Sequence, residues 1–447
     1  MWSGIWGITV NQRMKFIKLP VCQRFTTWMI ALTFVSTIWS VAYPSPLVTP
    51  TISIDNGIVL KNCKPTYLIG FSPSALFYDG SRDIKKMRSL PEEINYMRTW
   101  LEAWDAPGVQ SPFVLVNGKA DLKQLNPQWL ASLGDFLDAS ASAGVVQELT
   151  LFNPWAAREH WESHWWNPNN NIQGFDVNAD SLYTLNNSAQ TLQELWVEQI
   201  LDVVENSNAR DYVIIEIDNE LLTGGASWRD RFITQVKAHG NYIVSAIATY
   251  ADDFDPIESN NDIIALHGGG SGNPADYIGR TLAFEKTKPV IFNELYPWYQ
   301  HSRESQRAVF WSIFLAGGMF AVDYWGGGET NQAETLDDIV ALARFVEQID
   351  FINYQPHVGW LSTTGETPIA KAHRNGTGFI TYLDNAQIQQ PITVTLPRGT
   401  YSLKWINPAT GTGTHTRTLT SSGADIKLTP PEEINDAVLF IQSISTR

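Results

Sequence analysis

Residues 212–221 read Tyr212-Val213-Ile214-Ile215-Glu216-Ile217-Asp218-Asn219-Glu220-Leu221. An apolar, β-branched run of this length, closed by acids and an amide, has the texture of a strand buried on both faces, as in a parallel sheet covered by helices. The pattern returns at Pro289-Val290-Ile291-Phe292-Asn293-Glu294-Leu295. Glu294 lies 74 residues after Glu220. One strand–helix unit takes roughly 30 residues when about 250 residues form eight of them. The interval is therefore somewhat under three units, as fourth strand to seventh requires with one helix shortened.

Working outward, strand-like runs occur at 67–71, 94–104, 145–153, 212–219, 242–248, 262–267, 289–293 and 320–325. Helical patterns separate several of them, at 128–143, 189–206 and 304–316, and another at 335–348 follows the last. Eight strands alternating with helices predict an α/β fold of the (β/α)8 TIM-barrel type. The fifth strand has little room for a helix after it. Beyond residue 354 short alternating runs appear at 378–383, 392–396, 401–406 and 437–441, separated by turns such as Pro397-Arg398-Gly399. These predict a C-terminal antiparallel β-sandwich. The expected organisation is a signal peptide over 1–42, a barrel over 43–354 and a sandwich over 355–447.

The N-terminus carries a basic stretch (Arg13, Lys15, Lys18, Arg24), an apolar run at 28–39 and a small-x-small site at Ser40-Val41-Ala42, with Met14 a candidate true start. The run is short for a bilayer span. The expectation is a cleaved signal and a secreted, periplasmic or cell-surface protein, with membrane attachment only if the segment stays uncleaved. Cys22 would leave with the signal, so Cys63 is read as a lone, buried, small hydrophobe with no internal disulfide. The net charge of −15 repels phosphate backbones and argues against nucleic acid as a partner. Eighteen Trp among 447 residues serve either cores or sugar faces, and most are expected in the core.

In a barrel of this kind functional groups sit at the C-terminal ends of strands. Glu220 and Glu294 both stand there, each after an Asn. Two carboxyls are what hydrolysis of an acetal uses: one protonates the leaving oxygen, while the other attacks or activates water. The alternative is a pair of coincidental solvated charges. Two Asn-Glu pairs at corresponding strand ends weigh against that. Arg98 lies inside an apolar strand and needs anionic partners. Glu294 and Glu216 are the candidates, Glu216 sharing a face with Glu220 by period-two alternation. His267, followed by three glycines, is placed to bond the nucleophile or a sugar hydroxyl, or to be structural. Trp155, Trp165, Trp166, Tyr296, Trp298 and Trp325 are candidate substrate-binding aromatics. His160 and His164 have metal-like spacing only on a helix, and Pro168 with the neighbouring asparagines argues for a loop instead. No metal and no cofactor is expected.

These motifs carry a resemblance. Asn95-Tyr96-Met97-Arg98, Glu216-Ile217-Asp218-Asn219-Glu220, His267, Glu294 and Trp325 resemble glycoside hydrolase clan A, the cellulase-like barrels related to family 5, over residues 58–350. The resemblance implies that Glu220 is the acid/base, with surroundings that should raise its pKa, and Glu294 the nucleophile. It further implies that Asn219 contacts the sugar 2-hydroxyl and that Arg98 lies beside the nucleophile. Asp121-Leu122…Asn126-Pro127 and Arg307…Ala316-Gly317-Gly318 resemble apiosidase-like members. Trp405-Ile406-Asn407-Pro408-Ala409-Thr410-Gly411 resembles the turn of their collagen-binding-like C-terminal domain. Two positions depart from the pattern: Gly269 stands where the sixth strand often has Tyr, and Cys63 where an entry motif has Gly. The expected activity is that of a retaining glycoside hydrolase acting on β-linked carbohydrate. The rivals are a catalytically inactive carbohydrate-binding protein on the same scaffold and a transglycosylase. Sugar identity, endo or exo action and oligomeric state are not legible.

Overall fold

The computed structural model describes residues 51–444 apart from 74–76, 103, 222–224, 249–253, 270–271, 285–286, 297–301, 325–331, 364–368 and 432–434. The expected signal segment, Cys22, Trp298 and Trp325 lie outside the described residues.

Eight parallel strands close into one barrel. In chain order they are β1 (Ile69–Pro73), β2 (Tyr96–Trp100), β3 (Val146–Phe152), β4 (Val213–Asp218), β5 (Ile243–Ile247), β6 (Ile263–Gly269), β7 (Val290–Tyr296) and β8 (Met319–Tyr324). Each pairs with its successor, and β8 pairs with β1 through Phe320 to Ile69 and Val322 to Phe71. Every residue of β2, β3, β4 and β5 is buried, because helices cover the outer face and side chains fill the inner one. Helices at Gly80–Arg88, Pro127–Ala143, Gln190–Asn206, Ala226–His239, Pro274–Phe284, Arg303–Ala316 and Gln332–Glu347 follow the strands. Between β5 and β6 no helix occurs among the described residues, and that is the shortened unit between Glu220 and Glu294. Local signals set the ends of the Pro127–Ala143 helix. Asn126 caps it by accepting from the Gln128 amide, and Gly144 stops it at φ 73°, a left-handed conformation glycine adopts without strain.

Three short antiparallel strands (Ile52–Asp55, Ile58–Lys61 and Lys64–Pro65) precede the barrel. Cys63 sits in their second turn and corrects its sequence reading. It is exposed, disulfide-bonded and held at φ 62°. The positive φ accounts for the position being one where glycine is expected. An antiparallel hairpin at Phe113–Val116 and Lys119–Leu125, absent from the strand assignment above, turns on Asn117-Gly118.

The C-terminal region forms two antiparallel sheets. The larger runs in the order Tyr354–Pro356, Ile369–His373, Gly378–Leu383, Ala437–Ser443, Gly399–Asn407, Thr412–Ser421. The smaller joins Leu361–Ser362, Ile392–Thr395 and Asp425–Leu428. Between them Trp360, Phe379, Val394, Leu403, Trp405 and Leu439 form a core of their own.

Buried charge ties this region to the barrel. Arg307, on the helix after β7, binds Asp436 through two hydrogen bonds of 2.8 and 3.0 Å. Tyr382 donates to the same carboxylate at 2.7 Å. Asp338 is held by Arg303 at 2.7 and 2.8 Å and lies 3.4 Å from Arg307. Removing one partner of such a pair leaves a desolvated charge and costs about 3 kcal/mol or more. Asp436→Ala is therefore expected to lower the free energy of unfolding in denaturant titrations by roughly 3 kcal/mol, and Asp436→Asn, which keeps an acceptor, by clearly less. An Asp436→Ala loss below about 1 kcal/mol, the level of an exposed ion pair, would contradict this account.

Candidate active site

Arg98 is the centre of the site. It projects from β2 into the barrel and is fully buried. Its Nη1 donates to Glu294 at 2.7 Å, its Nε to Glu216 at 2.8 Å and its Nη2 to Asn219 at 2.8 Å. Burial pulls the guanidinium pKa down, but Glu216, Glu294 and Glu148 more than reverse this, so Arg98 stays a cation. The structure thus brings together four residues singled out in the sequence: Arg98, Glu216, Asn219 and Glu294.

Beneath them lies a layer that strand texture did not reveal. Glu148 of β3 is fully buried. It accepts from the hydroxyls of Tyr96 and Ser245 and from Asn293 Nδ2. Glu216 accepts from Thr150 and Asn293 as well as Arg98. Burial raises the pKa of Glu216, Arg98 opposes the rise and Glu148 adds to it.

Asn293 and Glu294 are adjacent yet both reach interior partners, which regular pleating forbids. A bulge resolves this. Against β6 the register runs Leu266 to Phe292 and then His267 to Glu294. Against β8 it steps from Phe292 to Leu295. The extra residue lets Asn293 brace the buried carboxylates while Glu294 turns to Arg98.

Glu220 is positioned by a turn rather than by the alternation expected from sequence. The strand ends at Asp218, and Glu220 has φ 58°, a conformation that costs a non-glycine residue about 1–3 kcal/mol. Neighbouring bonds hold it. Asp218 accepts from the Leu221 amide at 3.1 Å and is gripped by Arg229 at 2.6 and 2.9 Å. Arg158 donates to the Glu220 carbonyl at 2.9 Å and stands 3.9 Å from its carboxylate. Arg158, on the helix Pro154–Glu159, has no sequence signature that marks it.

His267 Nδ1 lies 3.0 Å from Glu220 Oε1, whereas its Nε2 is 4.0 Å from Glu294. Its hydrogen-bond partner is the assigned acid/base rather than the nucleophile. Burial pushes Glu220 up, but the His267 bond and charge, with Arg158 and Arg98, outweigh it and hold the carboxyl below its ordinary value. This reverses the expectation of a raised pKa. For His267, burial acts downward, while the Glu294 charge and the Glu220 bond raise it above its ordinary value. The 3.0 Å contact lets the two groups share one proton, with the imidazole raised and the carboxyl lowered. In the wild type the basic limb of kcat/KM is then the loss of that shared proton, set by the raised imidazole. His267→Gln leaves only a carboxyl to carry the proton, so the limb is expected to move to lower pH. A limb that stays put or moves up in a pH–rate profile would refute the sharing.

The aromatic candidates divide. Trp155 is half-buried at the mouth, its ring near Trp100, Trp104 and His160. Trp165 and Trp166 are buried, with Trp166 packed edge-on to Phe113. They build the wall and do not offer a stacking face, which corrects their reading as sugar platforms. Tyr296 ends β7, and its side chain, like Trp298 and Trp325, lies outside the described residues. His160 stacks on Trp104 and His164 on Trp161. Burial, with the charge of His160 adding to it, lowers the His164 pKa to about 3. Among the described residues one group of three offers metal-ligand geometry: Glu220, His267 and Glu294, with ligand atoms within 4.8 Å of one another. Arg98 and the Glu220–His267 bond already engage these atoms.

An eight-stranded barrel followed by antiparallel sheets has counterparts among solved structures. The fold is that of solved glycoside hydrolases. A glycoside hydrolase family 5 structure from Bacteroides vulgatus superposes with a TM-score of 0.65 at 10% identity, over 88% of this chain and 93% of its own. Another glycoside hydrolase gives 0.61 at 10% identity, over 89% and 97%. A noncanonic maltogenic α-amylase from Thermotoga neapolitana gives 0.50 at 11% identity, over 85% and 99%. No protein-family model and no curated protein matches the sequence.

Proposed function

We propose that this chain is a retaining glycoside hydrolase that cleaves a β-linked carbohydrate by double displacement. The observation that carries the proposal is the closeness of the two carboxyls. One oxygen of Glu220 and one of Glu294 lie within 4.8 Å. Retaining enzymes hold their pair about 5–5.5 Å apart, whereas an inverting pair needs roughly 6.5–9.5 Å to admit a water. Glu294, ion-paired to Arg98, attacks the anomeric carbon. Glu220 receives the shared proton from His267 and passes it to the leaving oxygen. It then takes a proton from the water that releases the glycosyl-enzyme. Asn219, held between Arg98 and Asn153, is the residue assigned to a sugar hydroxyl on the clan resemblance.

The fold likeness supports carbohydrate as substrate and leaves the bond open, since a structure described as an α-amylase shares it. The family 5 likeness and the clan motifs favour the β-linkage. Export belongs to the same proposal, supported by the leader-like N-terminal pattern.

The test is hydrolysis of paired α- and β-aryl glycosides and of polysaccharides, with the first product followed by proton NMR. The expected result is turnover of a β-glycoside giving the β-anomer first, mutarotating later. An α-anomer as first product would overturn the mechanism. Turnover confined to α-glycosides would overturn the linkage, and no turnover across the panel would overturn the activity.

A further inference from the structure

Glu102 lies two residues past the end of β2 and is buried. Its Oε2 accepts from the backbone amide of Asn153 and from the Tyr183 hydroxyl at 2.8 Å. Asn153, just past β3, passes this anchorage on in two directions. Its Oδ1 accepts from the Ala156 amide at 3.1 Å, capping the helix Pro154–Glu159 that carries Trp155 and Arg158. The same oxygen accepts from Asn219 Nδ2 at 3.0 Å. Asn219 accepts in turn from Arg98, which holds Glu294. A continuous run of hydrogen bonds thus joins Glu102 to the nucleophile, and a branch of it seats the arginine that holds the Glu220 backbone.

Space-filling does not account for a carboxyl here. A leucine would fill the volume without the cost of burying an acid, but would strand the Asn153 amide and the Tyr183 hydroxyl. Among the described residues Glu102 forms no ion pair, and its Oε1 has no hydrogen-bond partner in the chain.

We infer that Glu102 is a positioning residue for the reaction proposed above: through Asn153 it fixes Asn219 beside Arg98 and anchors the short helix that brings Trp155 and Arg158 to the mouth of the site. The inference rests on the glycosidase reading for its kinetic consequence and on geometry for its structural one. The groups facing the carboxyl are the Asn153 amide at the end of β3, the Tyr183 hydroxyl from the segment before the Gln190–Asn206 helix, and the Trp166 indole. The charges nearby are Arg158 and Asp218, both of which act on Tyr183. Burial raises Glu102 to about 7 against the bonds from Asn153 and Tyr183. A carboxyl raised in the fold holds its proton after the unfolded chain has released it at about 4.5. Its contribution to stability is therefore fully present below that value and is lost as pH rises to about 7.

Two variants of the full chain test this. Glu102→Leu removes the acceptor. Glu102→Gln keeps an acceptor oxygen of the same shape and abolishes the titration. On an aryl β-glycoside, Glu102→Leu is expected to lower kcat on the order of 10–100-fold with KM little changed. Amide exchange at Asn153 and Ala156 should quicken about tenfold or more, the loss of one hydrogen bond. Glu102→Gln should restore kcat to within a few-fold and lack the fall in stability between pH 4.5 and 7 that the wild type shows. Wild-type kcat and wild-type exchange in Glu102→Leu would overturn the inference. If that variant does not fold, a Glu102→Gln protein that keeps the wild-type pH–stability profile would overturn it instead. A wild type that hydrolyses nothing would sink the glycosidase reading alone, because exchange at Asn153 and the pH–stability comparison need no substrate.

Discussion

Replacing Glu294 by alanine is expected to reduce hydrolysis by roughly 10⁴-fold or more, even for glycosides with good leaving groups, because the proposed mechanism gives the attack on the anomeric carbon to this carboxylate. Glu220→Ala should behave differently. Substrates whose leaving group needs no proton still react with Glu294, so the glycosyl-enzyme forms and then accumulates for want of a base. Azide attacks without a base. Added to Glu220→Ala, it should restore turnover and give a glycosyl azide of retained configuration. Added to Glu294→Ala, it can only fill the space left by the carboxylate, and the product should be inverted. Proton NMR of the two azides reads the roles separately. Swapped configurations would reverse the assignment of acid/base and nucleophile.

Arg98→Leu is expected to have the second largest effect. Among the described residues the guanidinium is the one cation hydrogen-bonded to Glu216 and Glu294, and its charge also acts against the repulsion between Glu216 and Glu148. Its removal leaves buried carboxylates facing one another and costs about 3–5 kcal/mol of stability. Glu216, raised by burial and held down by Arg98, then keeps its proton to higher pH, so the deficit should be largest near neutrality and shrink as pH falls. Glu294 loses the hydrogen bond that aligns it, and activity should fall even in the folded fraction. Arg98→Lys restores the charge but not the fork that reaches Glu216, Glu294 and Asn219 at once, so it should recover more stability than activity. Denaturant unfolding of the three proteins at pH 5 and pH 7.5 decides this. An Arg98→Leu deficit that is absent, or larger at pH 5, would show that the guanidinium does not hold these charges.

The barrel was legible because its strands are continuous apolar runs bounded by polar residues, a texture that burial on both faces imposes directly on composition. The boundaries moved by only a few residues, as at 67–71 against Ile69–Pro73. Glu220, Glu294 and Arg98 stood out for a related reason: a charge at the end of, or inside, such a run is conspicuous. The weak fifth unit was visible too, as a gap too short for a helix. The hairpin on Asn117-Gly118 was not recognised, because its strands are mostly polar or exposed.

What failed was everything that depends on parity or on a distant partner. Alternation from Glu216 placed Glu220 on the inner face. In the fold the strand ends first, and a left-handed residue aims the side chain. Alternation would turn Asn293 and Glu294 apart, and the bulge brings both inside. Trp165 and Trp166 look like a sugar platform in a loop full of aromatics, yet they pack into the wall. Cys63 looked like a lone core thiol and is exposed and disulfide-bonded. The sign of the Glu220 shift could not be read at all, because it is set by His267, 47 residues away in the chain.

The sequence alone thus determined the architecture and the identity of the two facing carboxyls, because hydrophobic periodicity and the cost of burying charge act locally and leave their mark residue by residue. Only the tertiary structure decided how those groups are oriented and partnered: the bulge at Asn293, the clamp of Arg158 and Arg229 on the Asp218–Leu221 turn, the contact between Glu220 and His267, and the anchorage through Glu102. Each of these depends on distances of a few ångströms between segments far apart in the chain. Hydrogen bonds and charge interactions fall off within that range, so no local pattern in the sequence carries them.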